Sequence, residues 1–135
     1  MLESVKGIIY SQNQFLLQLR DNTHTISYPN CWSFFGGEIE YGETPWDGLK
    51  RELLEEIGWI PEEGFFLNEW FDSKVQCKVI FYNISYTGNK NDLELNEGQS
   101  MEWFTVDEIK LLKNITPNLV NQIIISCEYI NANNS

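Results

Sequence analysis

Residues 36–59, GGEIEYGETPWDGLKRELLEEIGW, hold a helix with marked ends and a row of glutamates along it. Thr44 is a good N-cap, Pro45 suits the first helical position, and Asp47 completes a Thr-x-x-Asp variant of the capping box. Gly58 stops the helix. At about 100° per residue, Trp46, Leu49, Leu53 and Ile57 form one apolar stripe, while Glu52, Glu55 and Glu56 share an adjacent arc about 100° wide. The stripe is expected to pack and the glutamates to face outward.

Like charges three and four residues apart destabilise a helix by about 0.2–0.5 kcal/mol per pair. Glutamates near a helix C-terminus also oppose the macrodipole. A divalent cation would offset both, and hard oxygen ligands favour magnesium or manganese over zinc, which takes cysteine or histidine. Arg51 adds a fixed positive charge beside the cluster, placed to pair with Glu55 one turn on or with Glu43 from the loop.

The spacing over residues 37–59 resembles the Nudix box, G-x5-E-x7-R-E-U-x-E-E-x-G-U with U a bulky apolar residue. Gly37, Glu43, Arg51-Glu52-Leu53, Glu55-Glu56 and Gly58-Trp59 fill every specified position. Trp59 stands where Ile, Leu or Val is common, and Phe35 where many relatives carry proline; neither removes a ligand. The resemblance implies a Nudix hydrolase, a metal-dependent enzyme that cleaves a nucleoside diphosphate linked to another group through attack of water on phosphorus. It implies Glu52, Glu55 and Glu56 as ligands of Mg2+ or Mn2+, with the Gly37 carbonyl as a further one. It also places Glu43, Arg51, Glu52 and Glu55 in the catalytic set, Glu43 mainly as the residue that orients Arg51. The general base in this family comes from the box or from a loop far downstream, where Glu97 is the candidate and Glu94 and Glu102 are rivals.

Charge leads to the same neighbourhood. The chain carries 20 Asp+Glu against 9 Lys+Arg, a formal charge of −11, so it would repel an anionic diphosphate unless cations bridged the two. The same balance disfavours duplex nucleic acid, which needs lysine and arginine patches. The expected partner is a small-molecule nucleotide, and the apolar content leaves a homodimer open.

A length of 135 residues fits one domain spanning 1–135 with a real core. No stretch approaches the roughly 20 apolar residues of a membrane span, and the N-terminus lacks a signal-peptide run, so a cytoplasmic location is expected. Cys31, Cys77 and Cys127 show neither a disulfide framework nor a zinc pattern. His24, the sole histidine, reads as a loop residue.

Strands are expected at Val5–Tyr10, Phe15–Arg20, Trp32–Phe35, Phe65–Phe71, Val75–Tyr86 and Met101–Phe104. One face of the strand from Val75 is expected to be buried. Thr105-Val-Asp-Glu108 is a capping box, and Thr116-Pro117 opens a last helix to about Ile130, with a frayed tail at residues 131–135. Helices interspersed with strands give an α/β class, which the resemblance sharpens to a mixed sheet sandwiched between helices.

The box reads the diphosphate and not its attached group. Arg20, Phe81 and Asn118 fall where members of the family acting on oxidised purine nucleotides carry base-recognition residues. Lys74 or Val75 replaces the proline of ADP-ribose enzymes, and Gln76 or Cys77 the tyrosine of dinucleoside polyphosphate enzymes, and together these favour a nucleoside triphosphate. A nucleotide sugar is the alternative, with Trp70, Tyr82 or Tyr28 lining its pocket, and a catalytically silent nucleotide-sensing domain is a third reading.

Overall fold

Apolar side chains leave the first two strands in both directions, and this decides the layering. In β1 (Leu2–Ser11), Val5 and Ile9 point to one side and Ile8 to the other; in β2 (Gln14–Leu19), Leu16 parts in the same way from Phe15 and Leu17. Each side is covered by helices. The box helix α1 (Pro45–Ile57) lays Leu49, Leu53 and Ile57 against Val5, Ile9 and Leu16. Two later helices, α2 (Val106–Leu111) and α3 (Leu119–Asn133), bring Ile109, Leu119 and Ile123 to Ile8, Leu17 and Phe81. The computed structural model describes residues 2–133.

The remaining strands are β3 (Trp32–Ser33), β4 (Phe35–Glu38), β5 (Phe65–Asp72), β6 (Cys77–Ser85) and β7 (Ser100–Phe104). They join one mixed sheet in the order β3-β2-β1-β6-β5, with β4 on β1 and β7 on β2. β1 and β6 run parallel and the other named pairs antiparallel. This is the expected α/β sandwich with a helix layer on each face.

Several expectations change in detail. Residues 32–35 form two strands, because Trp32 and Ser33 pair with β2 whereas the chain from Phe35 onward pairs with β1. Val75 and Gln76 belong to the turn before β6, where Gln76 has φ 54. β6 buries both faces: Ile80 and Ile84 pack toward α1, and Phe81 toward α2 and α3, as a strand between two neighbours in a covered sheet must. The last helix begins at Leu119 and continues through Asn133, so residues 131–133 are helical, while residues 134 and 135 lie outside the described ones. On its inner side Ile123 is joined by Cys127, whereas Ile124 is exposed.

Candidate active site

Gly36 ties the box to the sheet. It sits on β4 opposite Lys6 of β1, with φ 141, and a Cβ there would lie 2.0 Å from the Val5 carbonyl oxygen, so only glycine allows this approach. Its N–H donates to Glu56 Oε1 at 2.9 Å. Glu56 is therefore turned inward, with 3% of its surface exposed, and this corrects the expectation that all the box glutamates face outward. Helical geometry supplies the reason, since Glu56 projects only about 20° from Leu49 at the edge of the apolar stripe. Burial pushes its carboxyl up to about 8, opposed by Lys6 and reinforced by Glu52.

Arg51 organises the outer side of the cluster. It grips Glu43 with two hydrogen bonds, Nε to Oε2 at 2.7 Å and Nη2 to Oε1 at 3.0 Å. Nη1 donates to Glu52 at 3.0 Å and lies 3.6 Å from Glu55, and Nη2 also donates to the Glu38 carbonyl. These bonds hold the Glu43 carboxyl down at about 2, helped by the Glu40 N–H, and raise the guanidinium above its ordinary value. Of the two partners expected for Arg51, Glu43 receives the paired bonds and Glu55 only the longer contact.

Glu52 stands over the Gly37 backbone so closely that a Cβ on Gly37 would meet its carboxyl at 2.6 Å. Half-buried there, Glu52 is pushed above the usual carboxylate range by desolvation, against the pull of Arg51. Glu55 is exposed. Glu97 reaches the same field from a loop that docks on the end of α1. Asn96 donates its N–H to the Glu56 carbonyl and its side chain to the Glu55 carbonyl, and Glu94 donates its N–H to Ile57. Carbonyls that a helix end leaves unpaired are satisfied in this way. The charge of Glu97 is felt by both Glu52 and Glu56. Its rivals Glu94 and Glu102 are exposed, Glu102 on β7 opposite Leu17.

Among the described residues, no three ligating side chains are gathered into a ready-made metal site. Arg51 holds Glu43 and Glu52, and Gly36 holds Glu56. The donors nonetheless suit a hard divalent cation: they are carboxylates, with a main-chain carbonyl at Gly37 beside them. Burial raises the carboxyls of Glu52 and Glu56 first, and neighbouring carboxylates add to it, so a cation beside them would favour their charged forms.

Beside the cluster, on the α3 side of the sheet, lies a cavity of about 240 Å³. Ser4 and Lys6 of β1 and Val79 and Phe81 of β6 floor it, and Phe34 and Trp70 add aromatic wall. Arg20 lines it too, its Nε donating to the Ser27 carbonyl at 2.9 Å and so pinning the loop after β2. Across the mouth, the Tyr28 hydroxyl donates to buried Asp72 at 2.7 Å. Arg20 and Phe81 thus share one cavity, but Asn118 does not line it. Asn118 has φ 69 at the start of α3, where its Oδ1 accepts from Asn121, and Thr116 and Pro117 take the cavity wall. Tyr82 packs on Trp46 and Phe66 instead. A second depression, of about 580 Å³, is lined by Glu62, Glu63 and Asp92 with no lysine or arginine, a poor seat for an anion.

Sequence reasoning missed Lys6, Asp72 and Asn96. Lys6 had a signal in the strand alternation Leu2, Ser4, Lys6, Ile8, which puts a cation on an inward face.

Comparison with known proteins adds four findings. The NUDIX domain model matches residues 2–123. The chain is 31% identical over 117 residues to the 8-oxo-dGTP diphosphatase of Buchnera aphidicola subsp. Schizaphis graminum, covering 84% of this chain and 85% of that protein. In structure it is similar to the MutT protein of Methanosarcina mazei Go1, with a TM-score of 0.77 at 20% identity over 99% of this chain and 96% of that one. It is also similar to the NUDIX domain of Shewanella oneidensis NrtR complexed with ADP ribose, with a TM-score of 0.80 at 15% identity over 96% and 88%. The last two likenesses bear on the fold alone.

Proposed function

The chain belongs to the Nudix family, and from that membership we propose that it is a single-domain, metal-dependent hydrolase of a nucleoside diphosphate linked to another group, most simply a nucleoside triphosphate. The observation that carries the reading is the junction at Gly36 and Gly37: box carboxylates meet the sheet there, one strand away from a cavity with aromatic walls. The 8-oxo-dGTP diphosphatase relative favours an oxidised purine as the base.

Glu52, Glu55, Glu56 and the Gly37 carbonyl would hold Mg2+ or Mn2+. That cation supplies charge neutralisation for the diphosphate and activation of water. Arg51 fixes Glu52 in place while Glu43 and the Glu38 carbonyl fix Arg51, so the carboxylates keep their orientation without Arg51 being a ligand. Glu97 would take a proton from the attacking water, a role supported by its exposure and by its electrostatic reach to Glu52 and Glu56. Phe81, Phe34 and Trp70 give the cavity aromatic walls, of which half-buried Trp70 would offer a stacking surface for a base, and Arg20 would offer a donor for its edge. A nucleotide sugar is the second reading, favoured by Tyr28 and Trp70 in the same cavity wall.

The test is a panel of oxidised and ordinary nucleoside triphosphates, nucleotide sugars and ADP-ribose, incubated with Mg2+ or Mn2+ and resolved by chromatography. Turnover of one class is expected, with Glu56→Gln lower by about 100-fold or more. No turnover by folded wild-type protein, or equal turnover by the variant, would overturn the reading.

A further inference from the structure

Lys6 lies in a row of side chains that otherwise suits an apolar floor. Leu2, Ser4 and Lys6 of β1 pair in register with Cys77, Val79 and Phe81 of β6, and all six line the cavity, since alternate residues of neighbouring strands share a face. The next residue in the β1 row, Ile8, is fully buried. Lys6 is half-buried, and among the described residues its ammonium makes neither a hydrogen bond nor an ion pair within 4 Å. The charges of Glu56 and Glu52 reach it, but no acceptor among the described residues lies within hydrogen-bond distance, which leaves that place for a bound group.

The other polar groups of the cavity are largely committed. Asp72 accepts from the Tyr28 hydroxyl and from the Lys74 N–H, and the Ser33 hydroxyl donates to the Phe34 carbonyl. Arg20 uses Nε on Ser27, and its terminal amino groups make no hydrogen bond among the described residues. What remains open is one exposed carboxylate, Glu38, against two cations, the Lys6 ammonium and the Arg20 fork, so donors are in excess beside the aromatic walls of Phe81, Phe34 and Trp70. A planar ring with an acceptor oxygen on its edge satisfies both features, whereas an exocyclic amino group would set donor against donor.

We propose that Lys6 is a specificity-determining residue that selects nucleotides whose base carries a keto oxygen, at C6 of a purine or C4 of a pyrimidine, over bases carrying an amino group there. The inference rests on the reading of this cavity as the nucleotide site. It concerns the base edge and not the diphosphate, because Lys6 pairs with Phe81 in the cavity floor and, although the charges of Glu56 and Glu52 reach it, no box carboxylate lies within 4 Å of its ammonium.

Calorimetric binding of nucleoside monophosphates in Mg2+ tests it, with guanosine and uridine set against adenosine and cytidine so that ring size is balanced. The wild type is expected to bind the keto pair about tenfold or more tightly than the amino pair. Lys6→Met should bring the two pairs within about twofold, and Lys6→Arg, which keeps the donors, should retain the preference. Equal binding of both pairs by the wild type overturns the inference whether or not Lys6→Met folds. So does a preference that survives in folded Lys6→Met, or a uniform weakening of all four ligands, which would make Lys6 a phosphate contact. A keto preference together with no hydrolysis in the substrate panel would sink the hydrolase reading and leave this one standing.

Discussion

At Glu56, one side chain combines a buried carboxyl, a main-chain donor and three charged neighbours, Lys6, Glu52 and Glu97. Its carboxyl is raised from 4.5 to about 8, with burial as the largest cause. The sign of the pH effect follows. Between these values the folded metal-free protein keeps a proton that the unfolded chain releases, so stability from this residue is full below about 4.5 and is lost as pH rises toward about 8. We predict that in chelator the melting temperature of the wild type falls between pH 5 and 8 by more than that of Glu56→Gln, which has no proton to lose. Parallel profiles would mean that Glu56 is ionised throughout. Glu43 is the opposite case: Arg51 keeps it charged, so it stays a fixed anchor across the same range. Both environments were half legible in the sequence. The Glu43–Arg51 pairing follows from charge and spacing, but the depth of Glu56 depends on β4 bringing Gly36 to it.

The box helix was legible as an element down to its caps. Thr44 accepts from the Asp47 N–H at 3.1 Å, and Gly58 closes the helix with φ 70. Its C-terminal carbonyls are another matter, because Glu94 and Asn96, which satisfy them, lie in a polar loop nearly 40 residues downstream that no local pattern joins to the helix. We predict that Asn96→Ala lowers stability by about 0.5–1.5 kcal/mol in urea unfolding, the net worth of a hydrogen bond, whereas exposed Glu97→Gln leaves the midpoint in place. An unmoved midpoint in Asn96→Ala would show that the loop docks by other contacts. The short strands β3 and β4 resisted reading for a similar reason: Trp32 and Ser33 pair with β2 and the chain from Phe35 with β1, so a single apolar run became two elements through pairings that local pattern does not show.

Across the whole molecule the formal charge is −11, and the box concentrates carboxylates where two are raised by burial, with like charges adding to it. Binding of a divalent cation to the folded state alone should therefore stabilise the fold by mass action, by roughly 2–3 kcal/mol when the free ion stands about 100-fold above its Kd. We predict that Mg2+ raises the melting temperature in a concentration-dependent way, beyond the shift given by sodium chloride of equal ionic strength, and less in Glu56→Gln. Equal shifts from both salts would reduce the effect to screening.

The sequence by itself determined the box, the capped helix, the α/β class and the acidic balance, because these rest on spacings within one turn or one strand and on composition. Tertiary structure alone decided which glutamate is buried, which loop caps the helix, and that Lys6 joins Arg20 and Phe81 in one cavity while Asn118 does not. Those outcomes depend on strand register and on contacts between residues far apart in the chain, which local periodicity does not encode.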